Sequence, residues 1–170
     1  MNKPPPPEDF ARRWSGEAAG RDVDLRLLQV DDLVFDERTV LKCRYGCPAW
    51  GTRWTCGTDT WGPRELIPLL KKYSAVLLFT GYDLKAVTTA ALTAERAALL
   101  EGFSFALAVA VTLCSECGDC TYPAGSCRRA ADLRPESAMA GIDTLGTLRR
   151  LRIEGDKQRG WLRASYVFLA

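Results

Sequence analysis

Four cysteines lie close together at Cys114, Cys117, Cys120 and Cys127, directly after an apolar run. Cysteines with two residues between them can direct their sulfurs to one centre. The N–H groups of the intervening residues fold back toward the sulfurs and stabilise the thiolate charge. The first three match the cluster-binding run of bacterial ferredoxins more closely than the separated pairs of zinc knuckles. The fourth cysteine departs from that run. Six residues separate Cys120 from Cys127, where a ferredoxin has three, and Pro123 precedes Cys127 instead of following it. The pattern predicts a cubane [4Fe–4S] cluster, with a structural zinc ion or a disulfide or unligated set as alternatives.

A second group, Cys43, Cys47 and Cys56, has three and then eight intervening residues, among glycines, a proline and aromatic side chains. This composition favours a loop wrapped around a ligand. Seven thiolates divide most simply as four plus three, so the second group would hold three irons of a further cubane and leave one iron open to substrate. A second division gives Cys127 to this group and leaves the open iron beside Cys114, as ferredoxins exchange a ligand between clusters.

The composition excludes several mechanisms. The 170 residues are 47% hydrophobic and 26% charged, which suits one globular domain, and a net charge of +2 does not indicate nucleic acid. Histidine is absent, which excludes Ser-His-Asp catalysis, Rieske ligation and histidine-ligated zinc. The start of the chain has no apolar h-region and the run 103–113 is too short to span a bilayer, so we expect a cytoplasmic protein whose reduced thiols bind metal.

The pattern of strands and helices around the cysteines predicts an α/β single domain over residues 21–170. A flexible Pro-rich N-terminal tail is expected over residues 1–20. Two short strands are expected at 25–28 and 39–41, the second delivering Cys43. A helix from Gly62-Pro63 is short or kinked at Pro68. Residues 75–81 read as a strand covered on both faces.

A helix is expected over about 88–101 and a second buried strand over 103–113, which makes a strand–helix–strand unit with parallel strands. The sheet is therefore expected to be small, mixed or mainly parallel, and flanked by helices, with two cysteine-rich metal-binding loops. The second loop would follow the carboxyl end of a central strand, where α/β sheets place ligand sites. Asp143 is expected to cap a last helix, and residues 161–170 to close as a strand.

With both groups in view, the chain resembles a family of uncharacterised predicted metal-binding proteins, a cysteine-rich domain of unknown function. The matching residues are Cys43-Arg44-Tyr45-Gly46-Cys47-Pro48, Trp54-Thr55-Cys56, Cys114-Ser115-Glu116-Cys117-Gly118-Asp119-Cys120, Cys127-Arg128, Arg134-Pro135-Glu136-Ser137-Ala138-Met139 and Gly141-Ile142-Asp143. The family usually has two prolines after its third cysteine and Ser directly after Arg-Pro, whereas this chain has Gly57-Thr58 and an inserted Glu136. The resemblance implies metal or iron–sulfur binding and no assigned reaction.

Three functions remain open, and catalytic residues are not identified. The first is electron transfer between clusters and a redox partner protein, with Tyr45, Trp50, Trp54 and Trp61 excluding water and Arg44, Arg53, Arg128 and Arg129 offsetting cluster charge.

The second function is an enzyme whose open iron acts as Lewis acid or sulfur acceptor on a small anionic substrate, with proton transfer by Tyr45, Glu116, Asp119 or a lysine. The third is a zinc-stabilised structural or partner-binding module. Its basic face would be Arg149, Arg150, Arg152, Lys157, Arg159 and Arg163, although no nucleic-acid motif accompanies that face.

Overall fold

The computed structural model describes residues 3–57, 61–110, 114 and 117–170. The elements in these ranges are, in chain order, α1 (Pro7–Ala19), β1 (Asp24–Gln29), α2 (Thr39–Gly46), α3 (Pro63–Leu70), β2 (Ala75–Gly81), α4 (Leu84–Leu100), β3 (Leu107–Val109), α5 (Thr144–Arg150) and β4 (Arg163–Leu169). The fold is mixed α/β. No helix among the described residues is both long enough and apolar enough to cross a membrane.

The four strands form one sheet in the order β1-β2-β4-β3, and each neighbouring pair is antiparallel. The α/β class is confirmed, but the sheet is antiparallel throughout and not mixed or mainly parallel as expected. Because β2 and β3 are both antiparallel to β4, they run parallel to each other as expected, but β4 lies between them. This insertion makes β3 an edge strand, so the second cysteine loop follows an edge strand and not a central one.

Both faces of the sheet are covered, which explains the unbroken apolar run of β2. Leu77 and Phe79 face a core closed by α1 and α4. Val76 and Leu78 face a second core that includes Leu70 of α3 and residues from 140 to 148. Every residue of β2 is buried. A strand buried on both faces needs apolar residues at each position whatever the direction of its neighbours, so burial was predictable and strand direction was not.

The tail prediction needs correction, because residues 7–19 form helix α1. Pro7 occupies the first turn together with Glu8 and an aspartate, which favours a helix N-terminus. Phe10 is fully buried and makes an edge-on contact with Phe103, the ring centroids being 5.5 Å apart. The helix is therefore stabilised by packing into the core that β2 and α4 share, a contact that local composition does not reveal.

The expected strand at 39–41 is instead the start of α2, which carries Cys43 on a helix. The Thr39 hydroxyl shares its proton between the carbonyl oxygens of Asp36 and Ala138, at 2.9 and 2.7 Å. Thr39 is the buried residue of this helix. β-branched residues such as Thr39 and Val40 favour a strand only where they can pack against neighbouring strands. Here Thr39 contacts the segment around Ala138 instead.

Gly141 follows this segment and packs against α3, and its backbone adopts a conformation that other residues rarely adopt. Its φ is +77°, and a Cβ atom there would lie 2.6 Å from two side-chain atoms of Ile67. Both the left-handed backbone and the close approach therefore require glycine.

We expect Gly141→Ala to lower the free energy of unfolding by about 1–3 kcal/mol, through left-handed strain and overpacking. Gly16→Ala is the matched control, because Gly16 lies in helix α1 and an added Cβ would meet no atom within 4 Å beyond the local helix backbone. The control should be neutral or stabilising by about 0.5–1 kcal/mol. Urea unfolding of the metal-free protein measures both, and equal midpoints would contradict the assignment.

Candidate metal centre

The four cysteines of the second loop surround one small cavity. Cys114, Cys117, Cys120 and Cys127 all line it and are all partly buried, with free thiols. The volume is about 20 Å³. The structure thus brings Cys127 to the same pocket as the three closely spaced cysteines. Glu116, a candidate for proton transfer, lies outside the described residues.

Arginines and backbone N–H groups accompany this pocket. Arg53 donates from Nη1 to the carbonyl oxygen of Cys114 at 2.5 Å, and Arg128 donates to the carbonyl oxygen of Asp119. Burial acts to raise the pKa of Cys120, but hydrogen bonds from backbone N–H groups and the positive charges of Arg53 and Arg128 outweigh it, so the pKa is lowered. These contacts favour a thiolate, which is the form that binds metal.

Trp54 lines the same cavity and carries a buried donor that lacks an acceptor. Its Nε1 atom has no hydrogen-bond partner in the described part of the structure. An indole nitrogen can only donate, and a buried donor left unpaired costs about 1–3 kcal/mol. Sulfide and thiolate sulfurs of an iron–sulfur cluster would supply acceptors, so this orphaned N–H fits a sulfur-rich group in the cavity.

The first group assembles from α2 and the turns after it. Cys43 lies on the helix, Cys47 directly follows it and donates its N–H to the Cys43 carbonyl at 3.1 Å, and Cys56 is buried. Burial raises the pKa of Cys43 to about 12, with further contributions from the charges of Glu136, Cys47 and Cys56. Burial also raises the pKa of Cys56. The charges of Cys47 and Cys56 contribute to the raised pKa of Cys43, and burial is the first cause for both Cys43 and Cys56, so these surroundings favour neutral thiols when metal is absent.

Glu136 faces this first group, and sequence reasoning did not assign it a role. Its Oε2 atom lies 3.9 Å from the Cys43 sulfur. Burial raises the pKa of this carboxyl group, although hydrogen bonds from Ser137 and from backbone N–H groups act in the opposite direction. The one signal in the sequence was its position as an insertion after Arg134-Pro135 in the family pattern.

The two groups are joined through residues 53–57. The rings of Trp54 and Tyr122 meet edge to face, with centroids 5.1 Å apart. A Cβ atom on Gly57 would lie 2.6 Å from the Tyr122 ring. Together with the Arg53 hydrogen bond to Cys114, these contacts dock the first loop onto the second.

No three or more of the acidic and cysteine side chains in the described residues lie close enough together to hold a single metal ion. The donor set is nonetheless rich in soft thiols, which suit iron–sulfur clusters or zinc. The ligands of a four-iron cluster each bind a different iron, so their sulfurs surround a volume instead of converging on a point. The four cysteines line one cavity, as the ligands of one cluster must, but a volume of about 20 Å³ holds about one water molecule, so the walls would have to separate to admit a cubane.

Several of the other predicted site residues lie away from the cavity. Tyr45 and Trp61 are 78% and 63% exposed, so they do not exclude water as expected. Asp119 is exposed, and its carbonyl oxygen is bound by Arg128. On the expected basic face, Arg159 pairs with Asp22.

The opposite pKa shifts predict different thiol reactivity in the metal-free protein. The pH midpoint for alkylation of Cys120 by iodoacetamide should lie below 9.0, because the pKa of its thiol is lowered, while Cys43 should still gain reactivity as the pH approaches about 12. Mass spectrometry of peptides alkylated across a pH series measures both rates. The denatured protein is the control, in which the two cysteines should react alike. Equal pH midpoints in the folded protein would contradict the assigned environments.

Comparison with known proteins gives one match. The family model described as Predicted metal-binding protein (DUF2284) matches residues 26–160, which include all seven cysteines and Glu136. No curated protein and no solved structure matches the chain.

Proposed function

The chain belongs to the family of predicted metal-binding proteins DUF2284, and we propose that its metal groups are [4Fe–4S] clusters that serve electron transfer or related redox chemistry in the cytoplasm. The observation that carries this proposal is the cavity lined by Cys114, Cys117, Cys120 and Cys127, with the unpaired N–H of Trp54 beside it. Four thiolates and a buried donor suit a group built from iron and sulfide.

Each part of the site has a physical task in this proposal. A [4Fe–4S] cluster bound here would supply one-electron chemistry. The four thiolates of the second loop would hold it, and Cys43, Cys47 and Cys56 would hold a second metal group. Arg53 and Arg128 offset negative charge at the second loop, which favours the reduced state and raises a reduction potential. Trp54 meets Tyr122 edge to face and lines the cavity of the second loop, where its ring would cover one side of a bound cluster.

Metal analysis of protein purified without oxygen tests the proposal. We expect about eight irons and eight sulfides per chain, and a paramagnetic signal after reduction by dithionite, because two cubanes contain four irons each. Zinc without sulfide would contradict the proposal and favour a structural module that binds a partner.

A second candidate, an enzyme acting on a small anionic substrate, is favoured by a larger cavity next to Cys114. This cavity has a volume of about 230 Å³ and is bordered by Cys114 and Lys85, by Arg134, which pairs with Glu95, and by the carboxylates of Asp83 and Asp132. Lys85 lies in the first turn of α4, and none of the ion pairs between described residues includes it. A cation there, beside a metal-binding cysteine, suits a carboxylate or phosphate positioned at the metal group.

A change in the cluster's visible spectrum on addition of small carboxylates or phosphate would support this second candidate. The response should weaken in Lys85→Met and persist in Lys72→Met, a lysine that does not border the cavity. If no anion of either class changes the spectrum, the enzymatic candidate is contradicted and electron transfer remains.

A further inference from the structure

The larger cavity, which is bordered by Cys114 and Lys85, has the features of a site for a small organic molecule. Its volume is about 230 Å³, whereas a water molecule in the liquid occupies about 30 Å³, so a molecule of several heavy atoms fits. Leu84 and Lys85 border it from the start of α4 and are exposed, while Thr55 and Ala110 border it and are buried. The cavity thus has a side open to solvent and an enclosed side, as small-molecule sites do.

The enclosed side presents a hydroxyl group without a partner. Thr55 is 7% exposed, and its Oγ1 atom has no hydrogen-bond partner in the part of the chain that the structure describes. The side chain lies close enough to the Cys56 thiol to oppose the rise that burial causes in its pKa, but the contact lacks hydrogen-bond geometry. A buried hydroxyl without a partner is unfavourable, and a ligand with a hydrogen-bonding oxygen would satisfy it.

The ionic groups around the cavity leave one cation for a ligand. Arg134 pairs with the buried carboxylate of Glu95, and Asp132 pairs with two arginines. Asp83 caps α4. Lys85 belongs to no ion pair within the described ranges of the chain. Its ammonium group is therefore the cation that a carboxylate in the cavity would contact.

Two carboxylates at the cavity disfavour ligands with a second negative charge. Asp83 and Asp132 both border it, and a hydrogen bond from Arg129 lowers the pKa of Asp132, which keeps that group ionised. Like charges repel more strongly in a partly enclosed site than in water, so phosphate and dicarboxylates are disfavoured. Leu84 and Leu92 supply apolar wall, which suits a short carbon chain.

We infer that this cavity binds a small monocarboxylic acid that carries a hydroxyl or oxo group. Its carboxylate contacts Lys85, its carbon chain lies along Leu84 and Leu92, and its additional oxygen pairs with the Thr55 hydroxyl, which makes Thr55 a specificity-determining residue. Cys114 lines both this cavity and the smaller one of the second loop, so the ligand lies beside the proposed metal group. The inference names the substrate class of the second candidate function and rests on it, although binding itself requires no metal.

Isothermal titration calorimetry of the full chain, purified without oxygen, tests the inference. The probes are 2-hydroxybutyrate, 3-hydroxybutyrate and 2-oxobutyrate, with butyrate as the matched acid that lacks the additional oxygen. We expect the best of the three to bind about 2–12-fold more tightly than butyrate, because one hydrogen bond contributes that factor. In Thr55→Val this preference should disappear, while butyrate itself should bind as it does to the unmodified chain.

The charge assignment is tested with Lys85→Met, which should weaken the binding of every acid by about tenfold, the effect of losing one charge-assisted hydrogen bond. Lys72→Met is the matched control, because Lys72 does not border the cavity. It should leave every affinity unchanged. Inorganic phosphate should bind more weakly than the monocarboxylates, and tighter binding of phosphate would overturn the substrate class while leaving an anion site.

The unfolding of Thr55→Val separates a ligand contact from a structural one. Valine has nearly the same shape as threonine and lacks the unpartnered hydroxyl, so the urea midpoint should not fall. A lower midpoint, an unchanged preference in Thr55→Val, or equal affinities for butyrate and its derivatives in the unmodified chain would each overturn the inference. Iron and sulfide are measured separately. A chain that contains both but binds no acid refutes this inference alone, and a chain that lacks both but shows the Thr55-dependent preference refutes the proposed metal group alone.

Discussion

Replacing Cys117 and Cys120 together with serine is expected to remove about half of the bound iron and sulfide, about four of eight atoms of each. These residues line the cavity shared with Cys114 and Cys127, so their loss leaves two thiols, too few to retain a cubane. The first group should keep its metal, since its sulfurs come from α2 and the turns that end at Cys56. Iron, sulfide and paramagnetic resonance measurements on anaerobic protein check the result.

The reciprocal variant, Cys43→Ser with Cys56→Ser, tests whether the two cysteine groups hold separate metal groups. It should remove the other half of the iron and leave the signal of the second loop. Because Arg53 and Trp54 connect the groups, some broadening of that signal is expected without loss of iron. If either double variant loses all of its iron, the seven cysteines form one shared centre and the division into four and three is wrong.

The largest effect on stability is expected at a buried ion pair, Glu95 with Arg134. Glu95 is 1% exposed. Its Oε1 atom accepts hydrogen bonds from Nε of Arg134 at 2.6 Å and from the backbone N–H of Ala108 at 2.7 Å. Arg134→Ala would leave the buried carboxylate without its cation, and removing one partner of such a pair costs about 3–5 kcal/mol. The free energy of unfolding in urea, measured on metal-free protein, gives this value.

Arg13→Ala provides the comparison, because Arg13 pairs with Glu101 at the protein surface. Exposed pairs contribute about 0–1 kcal/mol, so this variant should unfold close to the unmodified chain. Similar stability of the Arg13 and Arg134 variants would show that the buried pair does not stabilise the fold.

Local sequence patterns predicted the elements in which apolar residues recur at the spacing of a helix or a buried strand. The run from Ala75 to Gly81 is a strand buried on both faces, and the helix expected near residues 88–101 is α4, which begins earlier because the Asp83 side chain accepts the N–H of Ala86 at 2.6 Å. The helix expected from Gly62-Pro63, short or kinked at Pro68, is α3, which contains Pro68 and continues to Leu70. These elements depend on neighbours a few residues away, so sequence spacing is sufficient to find them.

Elements stabilised by distant contacts were predicted less well. Helix α1 requires Phe10 to reach Phe103, and α2 requires Thr39 to reach Ala138, while each local sequence favoured a tail or a strand. Strand β4 enters between β2 and β3 although it is the last strand in the chain. Hydrophobic periodicity reports which positions are buried but not which strands become neighbours.

The sequence by itself determined the chemistry available to this protein: seven cysteines, no histidine, and three thiols spaced for one centre, since ligand type and local spacing are properties of the chain. The tertiary structure alone decided the surroundings of those thiols. It brought Cys127 to the cavity of Cys114, docked Trp54 against Tyr122, and placed Glu136 beside Cys43 across 93 positions of sequence. Such contacts arise from packing of the whole sheet and its helices, and their energies depend on burial that no short stretch of sequence contains.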